Sequence, residues 1–435
     1  MKRYLTQTVY HYISTPVSNQ DISPEFVNTA SNPLPATVDF YKFDEPANLW
    51  RNIKDASGNL NSNFETQFAV NRGYAYANSN ATYTKTFTGD LNYSNQAVSL
   101  TRTGGTGSEG WNLVGNPFPS TLAANDGADE TNNFLDDNTA ALDDSYEALY
   151  FFNIDDYVSL NQASPPLFVS PSQGFFVKAA TDGAQLQFNT TIQKHASASF
   201  YKNANIIAHF IIGITSPQND YNETYISFIN GTSKGLDPGY DARKLKGNPN
   251  IALFSKLVDD DGGDYSIQSL PVVEAQQVYL GLDAMQPGLY QFGNVQMIDL
   301  PYQTVMLEDK VENVYIDLNQ SSTYSFSTTQ TGMNLEDRFM LHFGGIVTDL
   351  ENDLDVETDI TIFSDGEFIF LQNLADKTMA GPVHLYTLAG QLLDIRKIEM
   401  DAHDLRSIPT NYAAGMYLVK FQSNNVVFTQ KVFLE

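Results

Sequence analysis

Short alternating runs fix the fold class of this chain. Thr82-Tyr-Thr-Lys-Thr-Phe-Thr, Gly174-Phe-Phe-Val-Lys, Tyr225-Ile-Ser-Phe-Ile and Val314-Tyr-Ile-Asp-Leu recur between clusters of Gly, Asn, Asp and Pro. A period of two suits a strand that buries one face, and the clusters supply the turns. Helical periodicity is not sustained anywhere; Asn132 to Leu142 fits a turn or two at best. The expectation is an all-β chain of tandem β-sandwich domains.

Two composition shifts suggest boundaries. The polar stretch near Gln193 to Ala198 joins a first domain to a second, and the acidic run Asp349 to Asp359 follows the strand-like Arg338-Phe-Met-Leu-His-Phe. Such an acidic run reads as a solvated linker or the edge of a new domain. The expected domains are therefore 1–195, 196–346 and 347–435.

Charge excludes several partners. With 51 acidic against 24 basic residues, the net charge is −27. That field repels nucleic acid and anionic lipid, favours solubility, and attracts divalent cations. Cysteine is absent, so disulfides, thiolate metal sites and cysteine nucleophiles are excluded. The longest apolar stretch, Ile206 to Ile214, is too short to span a bilayer, so no membrane-spanning segment is expected. MKRYLTQTVYHYIS lacks the apolar core of a secretory signal; an exported form of this chain is expected to start further upstream.

Gly105-Thr-Gly-Ser-Glu-Gly110 matches G-x-G-x-x-G, the phosphate-cradling pattern of dinucleotide enzymes. That pattern needs a helix after it, and here Gly115, Pro117 and Pro119 forbid one. The following residues read as a short strand with Trp111 and Leu113 on one face, ended by the turn Gly115-Asn-Pro. The glycines form a strand-to-strand loop. Thr106-Gly-Ser-Glu-Gly lacks both a glycine and the helix of a nucleophile elbow.

No histidine pair has metalloprotease spacing; His209, His342 and His384 fall within strand-like runs. Asp136, Asp137, Asp143, Asp144, Asp155, Asp156, Glu223 and Glu274 are available for paired-carboxylate chemistry, but nothing in the sequence selects a pair. Calcium fits better, because Asp259-Asp260-Asp261-Gly-Gly-Asp264 and Asn125-Asp-Gly-Ala-Asp-Glu are oxygen-rich loops with glycines for a tight bend. The plainer reading of the first is a hairpin turn. Tyr74, Tyr76, Trp111, Phe118, Tyr150, Phe151 and Phe152 could stack on sugars, although alternation within strands assigns most of them to the core. Trp50, near Asp44-Glu-Pro, is a candidate for exposure.

The last segment carries the most information. It runs through Val383-His-Leu-Tyr-Thr-Leu-Ala-Gly-Gln-Leu-Leu, Leu405-Arg-Ser-Ile-Pro, Ala414-Gly-Met-Tyr-Leu-Val-Lys and Gln430-Lys-Val-Phe-Leu. Read residue by residue, it is a small antiparallel sandwich in which Tyr417 and Val419 alternate inward.

This layout resembles the type A C-terminal sorting domain of proteins exported by the type IX secretion system of Bacteroidetes. That family has apolar-apolar-Tyr-Asp-x-x-Gly-Lys in the middle, Gly-apolar-Tyr later, and a basic residue in the last strand. Gly390, Gly415, Tyr417, Lys420 and Lys431 occupy those positions. Where the family often opens on Tyr-Pro-Asn-Pro, this chain has Ile362-Phe-Ser-Asp-Gly. Upstream, Tyr10-His-Tyr-Ile-Ser-Thr-Pro-Val, Asn71-Arg-Gly-Tyr-Ala-Tyr and Ser172-Gln-Gly-Phe-Phe-Val-Lys resemble a β-rich module of large surface proteins in these bacteria.

The resemblance implies an immunoglobulin-like last domain, recognised by the outer-membrane translocon and its sorting and attachment machinery. It also implies cleavage near the acidic linker, transfer to surface lipopolysaccharide, and a location outside the cell or on its surface. The expected function is that of a non-enzymatic adhesion or binding protein without a required cofactor. The alternative is a carbohydrate-binding module or a domain associated with a glycoside hydrolase, with polysaccharide as ligand.

Overall fold

The computed structural model describes every residue except 6–8, 80–82, 105–108, 155, 196–206, 260, 274, 303, 330–331, 336–337, 345–359, 365–367, 388–391, 414, 424–425 and 435. The chain is all-β, divided into two compact units, Met1–Val347 and Thr348–Glu435. The one α-helix among the described residues, Phe134–Asn138, lies inside the stretch expected to be helical. The Asn133 side chain caps it by accepting the Asp136 N–H, and Asp136 and Asp137 complement the positive end. Among the described residues no helix is long and apolar enough to cross a membrane.

The first unit begins with two small sheets. One runs in the order His11–Ile13, Tyr74–Asn78, Val38–Asp44, Leu49–Asn52; the other in the order Asp156–Leu160, Leu149–Asn153, Gly174–Lys178, Trp111–Gly115. Alternation explains both faces of the first sheet. Val38 and Phe40 turn into a core with Phe26, Phe68 and Tyr76, while Tyr41 and Phe43 turn to the opposite side. The two sheets approach closely where Gly174 passes Tyr12; a Cβ on that glycine would lie 3.0 Å from Tyr12 atoms. Glycine is required there by space, since its backbone must nearly touch the neighbouring strand.

A larger sheet follows. Its path is Val314–Asp317, Val305–Asp309, Phe339–Phe343, Gln276–Ala284, Ile251–Ser255, Tyr265–Leu270, Tyr221–Phe228, Ala208–Thr215, Gly288–Ile298, Tyr324–Thr328. Along this path every pair is antiparallel except Tyr221–Phe228 with Tyr265–Leu270. Period two sets the burial: Phe210, Ile212 and Ile214 face the core with Val278, Leu280 and Leu282. Each such side chain contributes roughly 1.5–3 kcal/mol when fully buried.

Residues 1–195 and 196–346, expected as separate domains, fall in one compact unit. The reason is a shared cluster. Tyr12, Trp111, Tyr150 and Phe176 from the small sheets pack with Ala242 and Ile267 of the large one. The fully buried Tyr150 also donates its phenol to the Arg243 carbonyl at 2.8 Å.

The second unit is a two-sheet sandwich. Its described strands are, in order, Ile360–Ser364, Phe368–Asn373, Met379–Thr387, Leu392–Met400, Leu405–Pro409, Gly415–Ser423 and Val426–Leu434. The first, second and fifth form one sheet; the fourth, third, sixth and seventh form the other. This split is the immunoglobulin-like Greek-key arrangement. Ile362, Leu371 and Ile408 meet Val383, Val419, Phe421 and Val432 in a common core.

Candidate functional site

The glycine-rich loop is organised around an acid. Gly105 to Ser108 lie outside the described residues, but both ends of the loop are placed. Glu45, buried at its position after strand Val38–Asp44, accepts the N–H of Thr103 at 2.8 Å and of Gly110 at 2.9 Å through Oε1. The Thr103 hydroxyl donates to the same carboxylate. The anion at this loop is therefore a side chain of the protein itself. Strand Trp111–Gly115 follows, as expected, with Trp111 and Leu113 on one face.

The acidic loop before Tyr265 is likewise neutralised from within. Asp261 accepts from Arg243 Nη2 at 2.7 Å and from the Tyr265 hydroxyl at 2.7 Å. Asp264 meets Lys246 at 2.6 Å and Lys256 at 2.8 Å. Burial alone would raise both carboxyls, but these partners hold them below the usual carboxylate range. Asp259 is exposed, and Asp260 lies outside the described residues. The loop connects antiparallel partners joined at Ser255 and Tyr265. In the other oxygen-rich loop, Asn125 donates inward to the carbonyls of Asn161, Ser164 and Pro165, and Asp129 pairs with Lys194. Among the described residues no three His, Asp or Glu side chains converge as a cation site.

The positions matched to the sorting motif separate by role. Gly390 lies outside the described residues. Gly415 begins its strand, where an added Cβ would meet only the Tyr417 ring at 3.9 Å. Tyr417 and Val419 are buried in the sandwich core. Lys420 and Lys431 sit on alternate positions that face out of the same sheet, on the adjacent strands paired at Leu418 and Lys431.

Of the candidate acids, Asp143 pairs with Arg102 at 2.6 Å, and Asp136 accepts from Gln162 and Asn133. Asp155 and Glu274 lie outside the described residues. Asp156 and Glu223 do reach one cavity. Asp156 is spent on a clamp, however: Oδ1 accepts the N–H of Gly247 at 2.7 Å and of Asn248 at 3.2 Å, and Oδ2 accepts from Asn222. Glu223 accepts the Tyr221 hydroxyl at 2.6 Å. The histidines also have local partners; His209 stacks on Tyr225 at 4.8 Å, and His342 bonds Glu308 at 2.8 Å.

Two cavities among those of the first unit bear on binding. One, of about 340 Å3, is walled by Phe43, Glu45, Glu65, Arg72 and Trp111. The other, of about 440 Å3, lies where the hairpin of Leu149–Asn153 and Asp156–Leu160 meets strand Tyr221–Phe228. Its wall includes Ile154, Tyr157, Tyr221, Glu223, Tyr225 and Lys244. Burial lowers the pKa of the Lys244 ammonium, and Asp156 at 3.8 Å opposes that effect. Concave sites of this size with a few placed polar groups are the usual form of ligand pockets.

Aromatic rings join the cavities. Phe43, in the wall of the first, packs on Trp50 at 5.3 Å; Trp50 lies 5.7 Å from Tyr12. Tyr12 stacks on Phe152 at 5.4 Å, and Phe152 lies 5.5 Å from Tyr157 in the second wall. The Tyr12 and Tyr157 hydroxyls share a hydrogen bond of 2.8 Å, and burial raises the pKa of both phenols. Tyr12 is buried, Phe43, Phe152 and Tyr157 are half-buried, and Trp50 is 38% exposed.

The aromatics named from sequence divide accordingly. Tyr74, Tyr76, Phe118 and Tyr150 are fully buried and Trp111 nearly so, Phe151 packs half-buried against the core, and half-buried Phe152 and exposed Trp50 belong to the strip between the cavities. Phe43 and Tyr157 escaped notice. The readable signal was Phe43 on the face opposite Phe40, cross-strand from Trp50.

No curated protein matches this chain. The family model described as Domain of unknown function (DUF8693) matches residues 1–343, a range that holds both cavities and every ring between them, and the chain belongs to that family.

Proposed function

We propose that this chain is the C-terminal part of a secreted or cell-surface protein in which Met1–Val347 is a non-catalytic binding body and Thr348–Glu435 is an export unit. One observation carries the reading: the last unit has its own two-sheet core, with strands that begin at Ile360 just after the acidic run, so it offers a self-contained body for recognition. The resemblance of Gly390, Gly415, Tyr417, Lys420 and Lys431 to the sorting motif supports recognition by the type IX translocon. The outward Lys420 and Lys431 are the groups available to a partner, while Tyr417 serves the fold. The binding role rests on two ring-linked cavities of the first unit, whose acids are mostly engaged in holding the chain together.

The test is cellular. The full chain, preceded by a Sec signal, is expressed in a type IX-competent bacterium and in its export mutant, beside a version ending at Val347. Full-length protein outside the competent cells, held in the periplasm of the mutant, with the shortened version held in both, is the expected result. Equal retention of the full chain in both strains overturns the export role.

A further inference from the structure

We infer that the first unit binds an extended, uncharged polysaccharide chain laid across Trp50, with one end in each cavity. This rests on the reading of Met1–Val347 as a binding body and names the ligand class for it.

The geometry of the rings comes first. Phe43 and Trp50 form a cross-strand pair, and Tyr12 lies on the far strand of the same sheet. Between them stands Ala75, small enough for the large rings to meet above it. The aromatic path therefore crosses the strands and continues onto the second sheet at Phe152 and Tyr157. A peptide adding to the edge strand Leu49–Asn52 would run along that strand and pair with its backbone. A path across strands and between two sheets does not offer that pairing. A chain of sugar rings needs no backbone ladder, only apolar faces to stack on and polar groups at the margins.

Those groups are present. Trp50, Phe43, Phe152 and Tyr157 give amphipathic and apolar ring surface at the rim. The cavities at each end add polar groups: Glu65, which also accepts from Lys42 and Tyr74, in one, and Asn219 with the bonded pair Tyr221 and Glu223 in the other. Hydroxyl-rich ligands are fixed by such acceptors and donors, and hydrogen bonds to charged acceptors are the stronger ones.

Charge narrows the class. A net charge of −27 raises the cost of bringing in uronic or sulfated chains, so the fitting polymer is neutral.

The experiment uses the full chain and a panel of polysaccharides: cellulose, xyloglucan, mannan and starch as neutral members, polygalacturonate and chondroitin sulfate as anionic ones. Oligosaccharides of increasing length from each neutral binder are then titrated by calorimetry. Trp50 and Trp111 are the two tryptophans, and both stand along the proposed path, so the part of a fluorescence change that is lost in Trp50→Tyr reports Trp50. The expected result is binding of at least one neutral polymer and none of the anionic ones, with affinity rising along the oligosaccharide series. Trp50→Ala is expected to weaken binding about tenfold or more in a protein that still folds but melts lower through lost ring packing, and Trp50→Tyr to restore most of both.

Failure of every neutral polymer overturns the inference, as does equal binding by Trp50→Ala or saturation by a single sugar. Trp50-dependent capture of peptides in place of glycans overturns it too. Release of new reducing ends from a bound polymer would instead overturn the non-catalytic part of the proposed function and leave glycan recognition standing.

Discussion

The phenol of Tyr417 donates to the carbonyl of Ala413, four residues back, at 2.7 Å. Tyr417 lies near the start of the sixth strand of its unit, with its ring in the core. A tyrosine there, bonded to backbone just upstream, is the corner that immunoglobulin-like sandwiches use to fix the connection between their sheets. The tyrosine at the position that resembles the sorting motif is thus explained by folding. Tyr417→Phe keeps the ring and removes the bond, so it is expected to destabilise the second unit by about 1 kcal/mol. Chemical denaturation of the full chain, followed by hydrogen exchange within residues 360–434, reads this. Protection equal to that of the parent protein would show the bond to be dispensable.

A second hub lies in the first unit. Arg338 approaches both oxygens of Asp309, with Nε at 3.0 and 3.1 Å and Nη2 at 2.6 Å, while Tyr324 donates to Oδ2 at 2.8 Å. Asp309 is fully buried, and Arg338 lies over the Phe326 ring at 4.5 Å. Burial pushes the Asp309 carboxyl up, but the bonds from Arg338 and Tyr324 more than offset it and hold it below the usual range. Arg338→Met leaves a buried charge uncompensated and is expected to cost about 3–5 kcal/mol at neutral pH. The pH profile identifies the cause. In the parent protein this pair loses stability only as acid protonates Asp309; in the variant, acid should restore part of what was lost. A deficit independent of pH would assign the effect to packing.

Two other acids work in the opposite sense. Burial pushes Asp241 up to about 7, against hydrogen bonds from the N–H groups of Ser269 and Asp237. Burial also raises Glu147; Thr139 opposes it, and the charges of Asp144 and Asp136 add to it. A raised carboxyl takes up a proton on folding, so its stabilisation is complete below the unfolded pKa and fades as pH rises toward the folded one. For Asp241 the loss across that window is at most on the order of 4 kcal/mol. Asp261, Asp264 and Asp309, all held low, lose their contribution only in stronger acid. Maximum stability is therefore expected on the acid side of neutrality, between these two windows. Urea midpoints from pH 4 to 8 should fall with rising pH, and Asp241→Asn should flatten that slope. A midpoint that rises through this range would contradict the assignment.

Period two made the strands legible, because one residue in two along Ala208–Thr215 or Gly415–Ser423 had to be apolar for a sheet to bury a face. The merger of the first two expected domains was not legible. Ala242 and Ile267 look like ordinary strand residues, and only the tertiary arrangement sets them against Tyr150 and Phe176. The aromatic path was hidden for a similar reason: Tyr12, Trp50 and Phe152 come from three distant segments. The acidic loop offered a clue that composition obscured. Arg243, Lys246 and Lys256, three of the few basic residues, stand just upstream of Asp261 and Asp264, close enough to supply the cations.

The last prediction concerns the glycine-rich loop. Glu45 holds both ends of it, through the N–H groups of Thr103 and Gly110. Glu45→Ala removes the acceptor and leaves two backbone donors short of a partner in a site from which water is largely excluded. Each such donor costs about 1–3 kcal/mol when buried, but the loop can swing outward and recover part of that through water. The variant is expected to fold, melt lower, and be cut by protease between residues 103 and 110 at a concentration that spares the parent. Glu45→Gln retains one acceptor oxygen and should fall between the two. Glu45 is also part of the wall of the first cavity. If Glu45→Ala is cleaved no faster than the parent, the bonds from Thr103 and Gly110 to the carboxylate are not what protects this segment.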